Sequence, residues 1–339
     1  MRLVDLSHPV TMHSPGWVGY PGMKMWYFQT HQTHGIVSQM IETPLHLSTH
    51  LDAPMHGISG GADIASIGLE QLVGQAAIAD VSEVGEWGVY TPELVTRKVN
   101  IRPGDVLILH TGWFRYYAGM PEEDLPRYFC MHPGPDHRFA EWAVEMRFRW
   151  IGVDCGSADH PMNTSIRVKR PDLAREYERR FRVKVEERFP EEHLFCMHHE
   201  PFRRGVIHAE NVGGDLSQLL NQRCVVGAFP WKFVGGEASI CRIVAFLDVG
   251  NTHLEFLEPT DPGAGVARFL ARRGEGLHHV ALGVPDLDRA VEKLRAAGAR
   301  LLGEPATGAG GHRYVFVHPA SAGGVLIELV EHGGRPQNP

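Results

Sequence analysis

Apolar residues in this chain bunch into short runs separated by glycine and proline. DVLILHTGW (105–113), RWIGVDC (149–155), RCVVGAFPW (223–231) and ICRIVAF (240–246) predict buried strands. One stretch has a helical period instead. In PDLAREYERRFRVKVEERF (171–189), Leu173, Tyr177, Phe181 and Val185 recur every fourth residue amid charge, predicting a solvated helix lying on its domain. The pattern changes after the turn-rich EPTDPGAG (258–265). HHVALGV (278–284), RYVFVHP (313–319) and GVLIELVE (324–331) predict strands, with one more near 300. DLDRAVEKLRAAG (286–298) predicts a helix with Asp286 as N-cap, a stripe of Leu287, Val291 and Leu294, and Gly298 past its end. This β-α-β-β unit is too small to bury much surface alone and should pack on something.

Composition narrows the function classes. The 339 residues are 43% hydrophobic and 22% charged, ordinary globular values that allow two domains. A net charge of −7 argues against a broad nucleic-acid surface. The opening MRLVDLSHPV has no secretion-signal pattern, and no apolar run nears the roughly 20 residues of a membrane helix. Five cysteines without a Cys-x-x-Cys pair read as reduced, mostly buried thiols, so the expected location is cytoplasmic. The 21 histidines matter more, because imidazole is the commonest metal ligand.

Residues 44–56, PLHLSTHLDAPMH, place His46, His50, Asp52 and His56 within eleven residues. In extended chain, residues two apart share a side, so 46, 48, 50, 52 and 56 have the same parity. A straight strand would hold 46 and 50 about 13 Å apart, too far for one metal, so the chain must curl between them. Imidazole with carboxylate suits Zn²⁺, Mn²⁺ or Fe²⁺. A bland alternative is that these histidines only bond backbone groups in a loop. CMHHEPFRRGVIHAENVGGDL (196–216) offers further donors: His198 and Glu210, with His199, Glu200 and His208 competing on chemistry alone.

PLHLSTHLDAPMH resembles the H-x-G-T-H-x-D-x-P-x-H signature of the cyclase/kynurenine formamidase-like metal-dependent hydrolases, which include isatin hydrolases. His46, Thr49, His50, Asp52, Pro54 and His56 stand in register, and Ser48 replaces the glycine. AFPWKFVGGEASICRIVAF (228–246) is similar to that family's closing pattern, so the resemblance covers roughly 1–246. It implies a swivelling β/β/α domain and a two-metal site of His46, His50, Asp52, His198 and Glu210 holding Zn²⁺ or Mn²⁺. It further implies Trp17 as the substrate-binding aromatic, a role Trp26, Tyr27 and Phe28 could share. His56 would then be catalytic and unligated, moving a proton from the attacking water to the leaving nitrogen. The implied reaction is hydrolysis of a C–N bond in an aryl formamide or cyclic amide.

GNTHLEFLEP, GEGLHHVAL and HPASAGGVLIELVE, within 250–331, resemble the C-terminal part of methylmalonyl-CoA epimerase, a vicinal-oxygen-chelate (glyoxalase-like) protein. Complete members pair two β-α-β-β-β modules and draw metal ligands from both. Here the resemblance selects Glu255, His279 and Glu328, while the rest of the first module has no counterpart in the sequence.

The expected organisation is therefore α/β: a cyclase-type hydrolase domain (1–248), a single β-α-β-β(-β) glyoxalase-like module (249–333) and a short tail (334–339). A small aromatic amide is the expected substrate and a homodimer or higher homo-oligomer the expected assembly, with no nucleic-acid or membrane partner. The alternative is an isomerase or lyase of a CoA ester or small oxo-acid, acting through the C-terminal metal site.

Overall fold

The computed structural model describes residues 2–247, 258–259, 261, 263–274, 276, 278–308 and 311–331. The chain divides into two compact units, Met1–Val249 and Gly250–Pro339.

Among the described residues the first unit has ten strands: β1 (Arg2–Asp5), β2 (Lys24–Gln29), β3 (Ser38–Glu42), β4 (His50–Asp52), β5 (Val73–Asp80), β6 (Val106–His110), β7 (Trp150–Val153), β8 (Ile207–Glu210), β9 (Arg223–Pro230) and β10 (Ala238–Leu247). Eight form one sheet in the order β1-β10-β4-β8-β7-β6-β5-β9, and β9 also pairs with β10, closing seven strands into a ring. β5 to β8 run parallel to one another, while β4, β9 and β10 close the ring through antiparallel pairings. All four apolar runs read as strands are strands of this ring. β2 and β3 form a separate hairpin.

Alternation along the strands sorts side chains into two cores. Ala76, Ile78, Val106, Ile108, Ala209, Val226, Ala228, Ile243 and Ala245 belong to one buried cluster that fills the ring. Their neighbours Ala77, Ala79, Leu107, Leu109, Ile151 and Val153 face outward, where Trp87, Tyr90 and Phe139 pack over them. Burial on both faces explains why these strands read as unbroken apolar runs. All five cysteines are free and buried.

The charged stretch 171–189 departs from expectation. It forms two helices, Pro171–Phe181 and Val185–Arg188, because the chain turns left-handed at Arg182 (φ 55°). Leu173, Tyr177 and Val185 are buried and Phe181 is exposed.

In the second unit, β11 (Val280–Val284), β12 (Leu301–Thr307), β13 (Arg313–Val317) and β14 (Ile327–Glu331) form a four-stranded sheet in the order β11-β14-β13-β12. The helix Leu287–Ala296 starts where expected, with Asp286 accepting from the Arg289 backbone N–H. Leu287, Val291, Val315, Val317 and Leu329 make its small core. A further helix, Gly265–Arg273, follows the turn-rich stretch, where the sequence reading placed no element. Glu255 and the 334–339 tail lie outside the described residues.

Candidate metal centre

The donors gather because two short strands face each other. In the antiparallel β4–β8 pair, His50 lies opposite Glu210 and Asp52 opposite His208. Leu51 and Ala209 between them point into the ring core, so the four polar side chains share the outer face. His46 reaches the same spot through a sharp bend. Ser48, at the signature's glycine position, is left-handed (φ 56°), which supplies the curl that a straight strand lacks. After Asp52 the chain enters a short turn, Pro54–Gly57, carrying His56. A Cβ on Gly57 would stand 2.3 Å from the His198 carbonyl oxygen, so only glycine lets this turn sit against the helix Cys196–Arg203.

Asp52 is the pivot. Its Oδ1 lies 2.9 Å from His46 Nδ1 and 3.2 Å from His50 Nε2; its Oδ2 lies 3.1 Å from His208 Nε2 and 3.8 Å from His198 Nε2. Glu210 Oε1 is 3.7 Å from His198 and 3.6 Å from His208, and its Oε2 is 3.6 Å from His50. Two groups of donors are close enough to share an ion: Asp52, His198, His208 and Glu210, and His46, Asp52 and His56. The His56 ring stands 4.1 Å from that of His46 and 5.3 Å from that of His198.

Supporting residues hold this arrangement. Asp159, fully buried after β7, accepts from His198 Nδ1 at 2.6 Å and from the Met197 backbone N–H at 3.0 Å. It therefore orients the imidazole so that Nε2 faces Asp52 and Glu210. Glu237 lies 3.4 Å from His46 Nε2, and the Ala158 backbone N–H donates to Glu210 at 2.7 Å. Thr49 accepts from the His8 backbone and donates to the Asn211 carbonyl.

Burial drives imidazoles down, but the carboxylates override it at two positions. Asp52 and Glu237 raise His46 to about 11, and Asp159, with Glu210 and Asp52, raises His198 to about 9. Despite complete burial, Asp52 is held well below the usual carboxylate range by His46 and His50. His56 goes the other way, lowered to about 4 by burial, with Asp52 opposing and His46 and His198 reinforcing the shift. A cation at these nitrogens would take the place of the proton that the carboxylates favour there.

The donor set fits a divalent metal. His50 Nε2 and Asp52 Oδ1 are buried without a hydrogen-bond partner, only 3.2 Å apart. Nitrogen and carboxylate donors around a shared acid suit zinc or manganese.

A cavity of about 250 Å³ opens beside the donors, lined by Trp17, Tyr20, His46, His56, His198 and Glu210 among others. The Gly16–Leu47 bridge ties Trp17's loop to the metal-binding segment. Trp17 carries the Lys169 ammonium over its ring at 4.9 Å, which occupies one face. Trp26, Tyr27 and Phe28 do not line this cavity; they project from the β2–β3 hairpin, exposed by 45 to 62%. Tyr20 and Phe195 take the wall positions instead.

The six residues selected as metal ligands or proton carrier of the first unit converge: His46, His50, Asp52, His56, His198 and Glu210. Sequence reasoning did not select Asp159 or Glu237, and left His208 among competitors. Asp159 follows β7, which runs parallel to the strand bearing Glu210, a pairing that the sequence does not show. In the second unit, His279 Nε2 meets Glu328 Oε2 at 2.8 Å. Among the described residues, every set of three or more donors close enough to share an ion lies in the first unit.

Comparison with known proteins finds two families along the chain. Residues 4–160 match the putative cyclase family, and residues 208–316 match the glyoxalase/bleomycin resistance protein/dioxygenase superfamily. The second match overlaps β8 to β10, whose hydrogen bonds belong to the first unit's ring; the sheet pairing is the better guide to where they fold. The kynurenine formamidase of Bacillus cytotoxicus is 27% identical over 157 residues, 46% of this chain and 69% of that protein. The ethylmalonyl-CoA/methylmalonyl-CoA epimerase of Cereibacter sphaeroides is 40% identical over 89 residues, 25% of this chain and 66% of that protein. The chain spans 49 to 66% of the length of the curated epimerases it matches. Isatin hydrolase A from Labrenzia aggregata superposes with a TM-score of 0.57 at 20% identity, covering 72% of this chain and 93% of that one, a likeness of fold.

Proposed function

From the match of residues 4–160 to the putative cyclase family, we propose that the first unit is a metal-dependent hydrolase cleaving the C–N bond of an aryl formamide or cyclic amide. One observation carries the reading: Asp52 presents one oxygen to His46 and His50 and the other to His198 and His208, beside an aromatic-walled cavity. His46, His50 and Asp52 would hold one cation, and Asp52, His198 and Glu210 a second. Such cations, when bound, supply Lewis acidity that lowers the pKa of water and draws electron density from a carbonyl oxygen.

The chain's own residues do the rest. Tyr20, Phe195 and the free side of Trp17 make a slot for a flat ring. His56, on the cavity wall beside the donors, accepts a proton from the attacking water at a ring nitrogen. It returns that proton to the amide nitrogen as the C–N bond breaks, so water divides into a carboxyl hydroxyl and an amine hydrogen. Asp159 and Glu237 fix the rings of His198 and His46 throughout.

A hydrolysis screen of purified full-length protein tests this, with N-formylkynurenine and isatin in the presence of zinc or manganese. Metal-dependent release of formate, or opening of the isatin ring, is the expected result. Stoichiometric metal binding without hydrolysis of any aryl amide would overturn the reading.

A further inference from the structure

We propose that His208 is itself a ligand of the second cation, completing with Asp52, His198 and Glu210 a closed two-nitrogen, two-oxygen zinc position. His46, His50 and Asp52 then form the open position next to the cavity. The proposal rests on the metal-centre reading above and goes beyond it, since the resemblance that selects His198 and Glu210 does not select His208.

Three observations carry it. First, β8 delivers His208 and Glu210 two residues apart on one face, directly opposite Asp52 and His50 of β4. The sheet register therefore places His208 in the donor patch. Second, the distances suit one tetrahedral ion. His208 Nε2 lies 3.1 Å from Asp52 Oδ2 and 3.6 Å from Glu210 Oε1; His198 Nε2 lies 3.8 and 3.7 Å from the same two atoms. Donors about 2.0 Å from a tetrahedral zinc stand roughly 3.3 Å apart. Third, the ring is fixed. It is 1% exposed, stacked on Phe202 at 4.6 Å and edge-on to His198 at 4.5 Å.

The two positions consequently differ in kind. A site with four protein donors is coordinatively complete, as in structural zinc sites, whereas one with three keeps room for water or substrate. The second cation would be held tightly and exchange slowly, while the first would exchange and meet substrate.

The competing role for His208 is simpler: Nε2 donates a hydrogen bond to Asp52 and orients it without touching metal. His208→Asn and His208→Gln separate the two roles, because both retain an N–H donor. Metal content and affinity are measured by titration against a chelator on the folded full-length chain, with thermal melting to confirm folding. If His208 is a ligand, the wild type binds two zinc ions and both variants keep one. Affinity for the other falls about 100-fold or more, beyond the loss typical of removing a supporting residue. Cobalt-loaded wild type gives an independent readout that needs no variant: intense visible absorption from a four-coordinate ion is expected.

Two zinc ions bound by both variants with unchanged affinity, or only weak absorption from a fully loaded cobalt protein, would overturn the proposal while leaving the hydrolase reading intact. A wild type that binds no metal would overturn both.

Discussion

Both units set an imidazole against a carboxylate across neighbouring strands, but they bury the pair differently. In the first, the side chains of His50, Asp52, His208 and Glu210 are at most 5% exposed, on a ring closed on itself and covered outside by helices. In the second, His279 and Glu328 retain 12% and 17% side-chain exposure on an open sheet whose β11 leaves Val280 and Leu282 exposed. The donor chemistry is shared; the burial is not. Burial removes water as a competing partner, so that charge held in the site must be balanced by charge placed there.

Substitution at the pivot should show the contrast most strongly. Asp52→Ala is expected to release both cations and lower hydrolysis more than about 10⁴-fold. Glu328→Ala should leave first-unit metal content and hydrolysis at wild-type values, as metal analysis and turnover assays of both variants would show. An Asp52 variant that retained two metals would break the comparison.

His56→Ala comes next. Turnover should fall by about 10² to 10⁴ while both cations remain bound. Loss of metal instead would make His56 a ligand, a role its grouping with His46 and Asp52 permits.

Removing the support beneath His198 has a smaller effect. Asp159→Asn should weaken binding of the second cation by about 10- to 100-fold, measured by chelator competition. Unchanged affinity would mean that the 2.6 Å contact adds nothing to ligand orientation.

The smallest effect concerns acid stability. His160 is completely buried, and burial lowers its pKa to about 3, although its contact with the Trp87 carbonyl favours the charged ring. Its folded value lies below the unfolded 6.5, so the unfolded chain takes up the proton first as pH drops. The stability it supports is complete above about pH 6.5 and is lost as pH falls towards 3. His160→Gln keeps a donor for Trp87 but cannot titrate. Between pH 7.5 and 5 it should lose about 2 kcal/mol less stability than wild type. Identical pH dependence in denaturant unfolding would rule this out. The described residues of the second unit contain no imidazole buried to this degree.

Much of this was legible in the chain because burial on both faces leaves a plain trace. The runs at 106–110, 150–153, 223–230 and 238–247 are strands, and the need for a curl between His46 and His50 is met at Ser48. Closure of the ring was not legible: β9–β10 and β5–β9 pairings depend on long-range geometry, which local period does not encode. Asp159 was missed because its partner lies 39 residues away and no spacing rule links a supporting carboxylate to its imidazole. The break at Arg182 was hidden because a four-residue apolar period continues across a single left-handed residue. The aromatic residues of β2 resembled cavity walls because hydrophobicity marks a face without saying what it meets.

β10 pairs over its length with β4, β9 and β1: Ala238 sits opposite Asp52, Ile240 opposite His50, and Cys241–Phe246 opposite β9. One residue inserted near Ile240 would exchange inward and outward side chains beyond it. The mismatch would then be shared between the seam of the ring and the strand that carries two ligands. Tolerance to insertion and deletion should therefore be lowest here, in a segment that contributes no donor atom, and length in this strand is as constrained as residue identity in PLHLSTHLDAPMH.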